Sequence, residues 1–235
     1  MIRFFYHAWQ NDKFLFLLLS IFLLLVALPL LPQVWYMTII FEIVLNIIFI
    51  TSVFASQETQ RYKRTAVTLV ILAILLGWLG RMCDTLEYQT AARLLVFPDL
   101  LFQLIFLGFM IYTILKVILS TSKVTLHMIN GALCVYLLIG LFFSRLYSII
   151  IAYSDSFARY GVPLQGQDGI SDTLALIYYS FVTLTTLGYG DITPISPFAC
   201  MISAIEAITG QLYLAVIVAR MVALYVMHPN PPRNS

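Results

Sequence analysis

The stretch Asp172–Asp191, DTLALIYYSFVTLTTLGYGD, decides the fold. Its first part, from Asp172 to about Thr185, is apolar and hydroxylated. That is long enough for roughly four turns of helix, but too short to cross a hydrocarbon core that takes about 20 residues. The second part, Thr186-Leu187-Gly188-Tyr189-Gly190-Asp191, places glycine at alternate positions. An extended strand points its carbonyls alternately to opposite sides. Stacking consecutive carbonyls along one side needs left-handed backbone angles at every second residue, which glycine adopts without steric cost. The reading is a re-entrant half-helix followed by a carbonyl-lined loop. Backbone of that kind is tolerated at membrane depth only where it is buried in protein or lines a water-filled cavity, so the segment needs neighbours.

The rest of the chain supplies a membrane setting. Of 235 residues, 61% are hydrophobic and 10% charged, a composition that no ordinary soluble domain could hide from water. Hydrophobic segments fall at roughly 14–31, 35–55, 65–81, 94–119, 126–152 and 197–226, each bounded by proline, charged or polar residues. The fold class expected is an all-α membrane protein with six transmembrane helices plus the re-entrant helix and its loop. Residues 153–171, with Asp155, Arg159, Gly161, Pro163, Gly166 and Asp168, read as an aqueous loop. Four divisions follow: 1–13 as a cytoplasmic, interfacial N-terminus; 14–120 as a four-helix domain; 121–227 as outer helix, re-entrant helix, loop and inner helix; and 228–235 as a short disordered cytoplasmic tail.

Charge placement orients these spans, because cytoplasmic loops collect Lys and Arg. With the N-terminus inside, one side holds Arg3, Lys13, Arg61, Lys63, Arg64, Lys116, Lys123, Arg220 and Arg233, and the other only Arg81, Arg93, Arg145 and Arg159. Both termini are therefore expected in the cytoplasm and the 153–171 loop outside, with the chain a multi-pass protein of the cell (inner) membrane. Arg3 and Lys13 before Phe14–Leu31 imitate a signal peptide, yet Pro29 and Pro32 interrupt the place of a cleavage site, and a retained first helix is expected. Phe4, Phe5, Tyr6 and Trp9 suit an interfacial aromatic belt.

The stretch Tyr178–Pro194 resembles the pore loop and filter of tetrameric potassium channels, whose signature is Thr-Val-Gly-Tyr-Gly, preceded by Thr and followed by Asp. The resemblance covers roughly residues 124–226, and Glu206–Ala215 is similar to small bacterial ion-channel proteins. It implies a homotetramer in a lipid bilayer conducting K+ through a ring of carbonyls, with no cofactor beyond the permeant ion. A dehydrating potassium ion is held by carbonyl oxygens that replace its water. The expected ligands are the carbonyls of Thr186, Leu187, Gly188 and Tyr189 with the Thr186 hydroxyl, and Gly190 completes the loop. One copy of the motif per chain calls for four chains around one axis. The half-helix would aim its negative C-terminal end at a central cavity, and Asp191 adds charge at the outer mouth.

This chain departs from that pattern in four places. Leu187 replaces the usual Val, keeping the carbonyl; its side chain and that of Tyr189 are expected to turn away into packing. Tyr178 and Tyr179 stand where many relatives carry two Trp, so Tyr179 is expected to brace Asp191. Val182 stands where some bacterial members carry a carboxylate. Gly210, where the family has a hinge glycine, serves equally as hinge or as a close-packing site. Gln211 and Leu214 are placed to face the cavity. Span four, Leu94–Leu115, carries no Lys or Arg, so the charged lever of a voltage sensor is missing.

Intramembrane Glu42, Asp99, Glu206 and Arg145 need partners. Glu206 is expected to brace the filter by accepting hydrogen bonds from pore-helix hydroxyls such as Thr185. Glu42 and Asn46 share a helix face, and Arg145 either snorkels outward or pairs with an acidic neighbour. Cys83, Cys134 and Cys200 lack ligand spacing, and at least two lie within hydrophobic segments, where cysteines pack as small apolar residues. His7, His127 and His228 are scattered and no hydrolytic motif appears, so no catalytic residue is expected and an enzyme reading is poor. A net charge of +2 gives nucleic acid no footing. The competing readings are a non-conducting regulatory subunit and a weakly selective monovalent cation channel.

Overall fold

A computed structural model describes residues 13–27, 60–85, 89–122, 124–153, 156–159, 162–163 and 170–227. The expected second span, the N-terminal belt, the C-terminal tail and the Glu42/Asn46 face lie outside them. In chain order come α1 (Lys13–Ala27), α2 (Gln60–Thr85), α3 (Gln89–Ser120), α4 (Leu126–Tyr153), β1 (Phe157–Arg159), β2 (Val162–Pro163), α5 (Ile170–Leu184), β3 (Ile192–Pro194) and α6 (Pro197–Met227). Within α3, α4 and α6, the segments Leu95–Ser120, Leu126–Ala152 and Pro197–Met227 are long and apolar enough to cross a membrane. α1, the apolar part of α2 and α5 are shorter.

α1 packs on α4 through Phe14, Leu17, Ile21 and Leu24, whose alternating three- and four-residue spacing puts them on one helix face. Leu19, Phe22 and Leu23 on the other side are exposed, as a lipid-facing surface would be. Phe14 anchors the seam. Its ring lies 4.4 Å from that of His127, its carbonyl accepts the Cys134 thiol at 3.2 Å, and Gly131 leaves room for it. α3 packs between α2 and α4, burying Phe106, Leu107, Met110, Ile114 and Ile118. Pro98 lies inside α3, and one residue on, Asp99 accepts Gln103 Nε2 at 3.1 Å on each carboxylate oxygen. Arg145 of α4 is buried and feels the Asp99 charge, which favours the acidic neighbour over snorkelling.

Caps fix the helix boundaries. Thr125 Oγ1 accepts the Met128 amide at 3.2 Å at the start of α4. Ser196 Oγ accepts the Ala199 amide at 3.2 Å, with Pro197 at the first helical position of α6. The end of α3 is closed by a distant residue: the Arg220 guanidinium of α6 donates to the carbonyls of Ile118, Leu119 and Thr121.

The 153–171 segment differs from the aqueous loop expected. It contributes two strands to a three-stranded antiparallel sheet of order β2-β1-β3, with Phe157 opposite Pro194 and Arg159 opposite Ile192. Burial explains it. Phe157 is fully enclosed, its ring 5.1 Å from both Tyr147 and Tyr179, so the sheet is pinned where α4 and α5 meet.

Candidate functional site

α5 begins two residues before Asp172, which sits in its first turn, where a carboxylate favours the positive end of the helix. The helix ends at Leu184 and the chain folds back on it. The Leu187 amide donates to Val182 O at 2.9 Å and the Thr186 amide to Thr183 O at 2.9 Å. These are the paired six-to-one and five-to-two bonds of a Schellman cap, which sets the residue two beyond the last helical one in left-handed backbone. That residue is Thr186, with φ 59°. Thr185 N fills Phe181 O at 3.1 Å and the Tyr136 hydroxyl reaches Leu184 O at 3.4 Å, so the last four carbonyls of α5 all have donors.

From Thr186 the left-handed conformation recurs at every second residue: Gly188 has φ 59° and Gly190 φ 78°. A Cβ at either glycine would meet nothing within 4 Å, so the requirement for glycine there is conformational, not one of space. Thr186 is the member of the series that the sequence did not announce, since threonine rarely adopts such angles. At the inner end Gln211 Nε2 donates to Thr186 Oγ1 at 3.3 Å, joining α6 to the loop.

Leu187 and Tyr189 do not turn into packing within the chain. They are 55% and 66% exposed, and with Leu25, Tyr178, Val182 and Thr185 they line an apolar groove of ≈ 580 Å³. The reason is position: α5 offers these residues an outer face, with no element among the described residues beyond it to fill the groove.

Two further expectations are corrected. The single proton of the Tyr179 hydroxyl goes to Ser203 Oγ at 2.6 Å, so it does not brace Asp191, which is half-buried. Thr185 Oγ1 donates to its own helix at Phe181 O, 2.7 Å away; it is not the donor to Glu206. Glu206, fully buried, meets Ser180 Oγ at 2.5 Å and Tyr147 Oη at 2.6 Å instead. Of the two roles open to Gly210, close packing has a direct observation behind it: a Cβ there would run into the Leu184 backbone carbonyl and lie 3.0 Å from Leu184 Cδ1. The residues that sequence reasoning missed are Ser180, Ser203, Tyr147 and Tyr136. All four are hydroxyl-bearing residues in otherwise apolar segments, the one signal that could have marked them.

Among the described residues no group of three or more His, Cys, Asp or Glu side chains is arranged to hold a metal ion. The loop is braced on three helices, by the cap on α5, by Tyr136 of α4 at Leu184 O and by Gln211 of α6 at Thr186.

Residues 131–227 match a family model described as "Ion channel". An 83-residue stretch, 35% of this chain, is 34% identical to the "Potassium voltage-gated channel protein shk-1" of Caenorhabditis elegans. The match spans only 15% of the length of that relative. No solved structure matches. Residues 131–227 are thus similar to the ion-channel family, in a chain whose described residues include three helices long and apolar enough to cross a membrane.

Proposed function

We propose that this chain is a subunit of a potassium-selective channel in which four copies surround one pore and K+ passes down its gradient. The observation that carries the reading is the alternation of left-handed backbone at Thr186, Gly188 and Gly190, beginning at the capped end of a short helix. Such alternation turns successive carbonyls to one side. A file of oxygens of this kind, repeated by symmetry, replaces the hydration shell of a cation without placing full charges in the bilayer. The ligands are the carbonyls of Thr186, Leu187, Gly188 and Tyr189, joined by the Thr186 hydroxyl, which Gln211 orients from the inner helix.

Two features support the assembly. The loop and the groove beside it are open in the single chain, and Leu212, Val216 and Val218 of α6 are exposed. Apolar surface next to irregular backbone at membrane depth needs protein neighbours, and further copies of the chain provide them. The relative named for potassium supports the choice of ion. The orientation follows the Lys and Arg bias, with the loop toward the outer side. With no Lys or Arg between Leu94 and Leu115, the four-helix region works without a charged voltage lever.

The test is flux from purified protein in liposomes under a potassium gradient and, separately, a sodium gradient. The wild type is expected to pass potassium and to reject sodium, and Gly188→Ala to lose the flux. Equal sodium flux would replace this reading with a weakly selective cation channel. No flux across a range of pH, voltage and lipid would favour a regulatory subunit.

A further inference from the structure

Behind the loop, a buried carboxyl group joins three helices. Glu206 of α6 has no exposed surface. Its Oε2 lies 2.6 Å from the Tyr147 hydroxyl of α4 and its Oε1 2.5 Å from Ser180 Oγ of α5. Ser180 Oγ also lies 2.7 Å from the Gly140 carbonyl of α4.

The protons do not suffice if Glu206 is a carboxylate. A serine hydroxyl carries one proton, and both of its close neighbours here would be acceptors. If that proton goes to Gly140 O, which offers nothing but lone pairs, then a 2.5 Å contact between Ser180 Oγ and Glu206 Oε1 sets lone pair against lone pair. The Tyr147 proton is already committed to Oε2, and its second contact, to Ser203 Oγ, is longer at 3.4 Å. Among the described residues the side chains hydrogen-bonded to Glu206 are Ser180 and Tyr147, and no Lys, Arg or His is among the groups acting on it to balance a charge. A buried ion without a counter-charge is costly, whereas a neutral acid both donates and accepts.

We propose that Glu206 is held as a neutral carboxylic acid, its proton donated to Ser180 Oγ while its carbonyl oxygen accepts from Tyr147, and that this proton fastens the pore helix to the helices on either side of it. With it in place every contact of Glu206 and of Ser180 has one donor and one acceptor. Without it, Ser180 must release either Gly140 or Glu206, and a charge is left against the pore helix six residues before Thr186. The titratable groups facing Glu206 are Tyr147 and Tyr136 on α4 and Tyr179 on α5, none of which can neutralise that charge. Glu206 is thus a positioning residue for the loop, and alkaline conditions release its hold. The functional part of the inference rests on the channel reading; the assignment of the proton does not.

Infrared difference spectra of the full-length protein in lipid, wild type minus Glu206→Gln, read the proton without reference to conduction. A protonated carboxyl band in the wild type at pH 7, absent in Glu206→Gln and displaced in Ser180→Ala, is expected. A carboxylate band in its place overturns the assignment. If Glu206→Gln fails to fold, the same comparison with Ser180→Ala and Tyr147→Phe decides, since each removes one partner of the acid and must displace its band; an unmoved spectrum is also fatal.

Stability gives the second reading. The native state keeps a proton that an unfolded chain loses near pH 4.3, so native stability falls as pH rises. The unfolding constant of the wild type is expected to grow about tenfold per pH unit relative to Glu206→Gln until the acid ionises. In liposomes, potassium flux should fall at high pH in the wild type and persist in Glu206→Gln, and parallel pH profiles would overturn the positioning role. Absence of flux with the carboxyl band present would instead reject the channel reading and leave the proton where it is assigned.

Discussion

Gly188 and Gly210 are both glycines in the ion-channel segment, yet they are required for opposite reasons. Gly188 has open space and an unusual φ; Gly210 has ordinary helical backbone and no space, because Leu184 O stands where its Cβ would be. Gly210→Ala must push α6 away from the end of α5, and we expect a loss of about 1–3 kcal/mol, read as a lower unfolding temperature in lipid. Gly188→Ala meets no atom and strains only a local angle, costing about 1–2 kcal/mol, while its effect on flux is expected to be far larger. Tyr179→Phe removes the bond to Ser203 and should cost about 1 kcal/mol of stability; an effect that vanishes when Ser203 is also changed to Ala would verify the partner. The alternating glycines were legible because their freedom is a property of the residue itself. Thr186 was not, since its backbone is dictated by the cap that closes α5. Glu206 was legible as a group needing hydrogen-bond partners, but Ser180 and Tyr147 were not legible as those partners, because that depends on how three helices are rotated against one another.

The helices themselves declared their ends through local chemistry. Ser196-Pro197 opens α6 and Thr125 opens α4, as capping residues do in any helix. The end of α3 is of another kind, since Arg220 comes from about a hundred residues further along the chain to occupy its terminal carbonyls. Sequence reading counted Arg220 only as a cytoplasmic charge, because nothing local marks a cap supplied by another helix. Arg220→Ala removes this donor from all three carbonyls, of which Ile118 O keeps the Thr121 amide. We expect faster amide exchange in the last turn of α3 and unchanged exchange in α5, with Arg220→Lys intermediate because an ammonium lacks the planar fork. Equal exchange in all three proteins would show that the clamp contributes nothing. The strands escaped notice for a simpler reason: elements of two or three residues have no period to read, and only the burial of Phe157 between Tyr147 and Tyr179 accounts for them.

Taken as one body, the chain buries α4 well and leaves α6 and the loop open. Composition pointed to a membrane, and the residues similar to the ion-channel family begin within α4. Assembly is harder to read from one chain, because the surface that would bind a second copy is as apolar as the surface that would face lipid. The groove beside Leu187 and Tyr189 separates the two: it adjoins exposed irregular backbone, which lipid cannot satisfy and another protein chain can. Native mass spectrometry of the detergent-extracted protein is expected to give four copies, and a monomer under mild extraction would argue against a shared pore. The loop's role in choosing the ion is tested by the reversal potential of the purified protein in a planar bilayer with potassium on one side and sodium on the other. A potential displaced strongly in the direction set by potassium, and abolished with the current in Gly188→Ala, is the predicted result. A potential near zero with sustained current would contradict it.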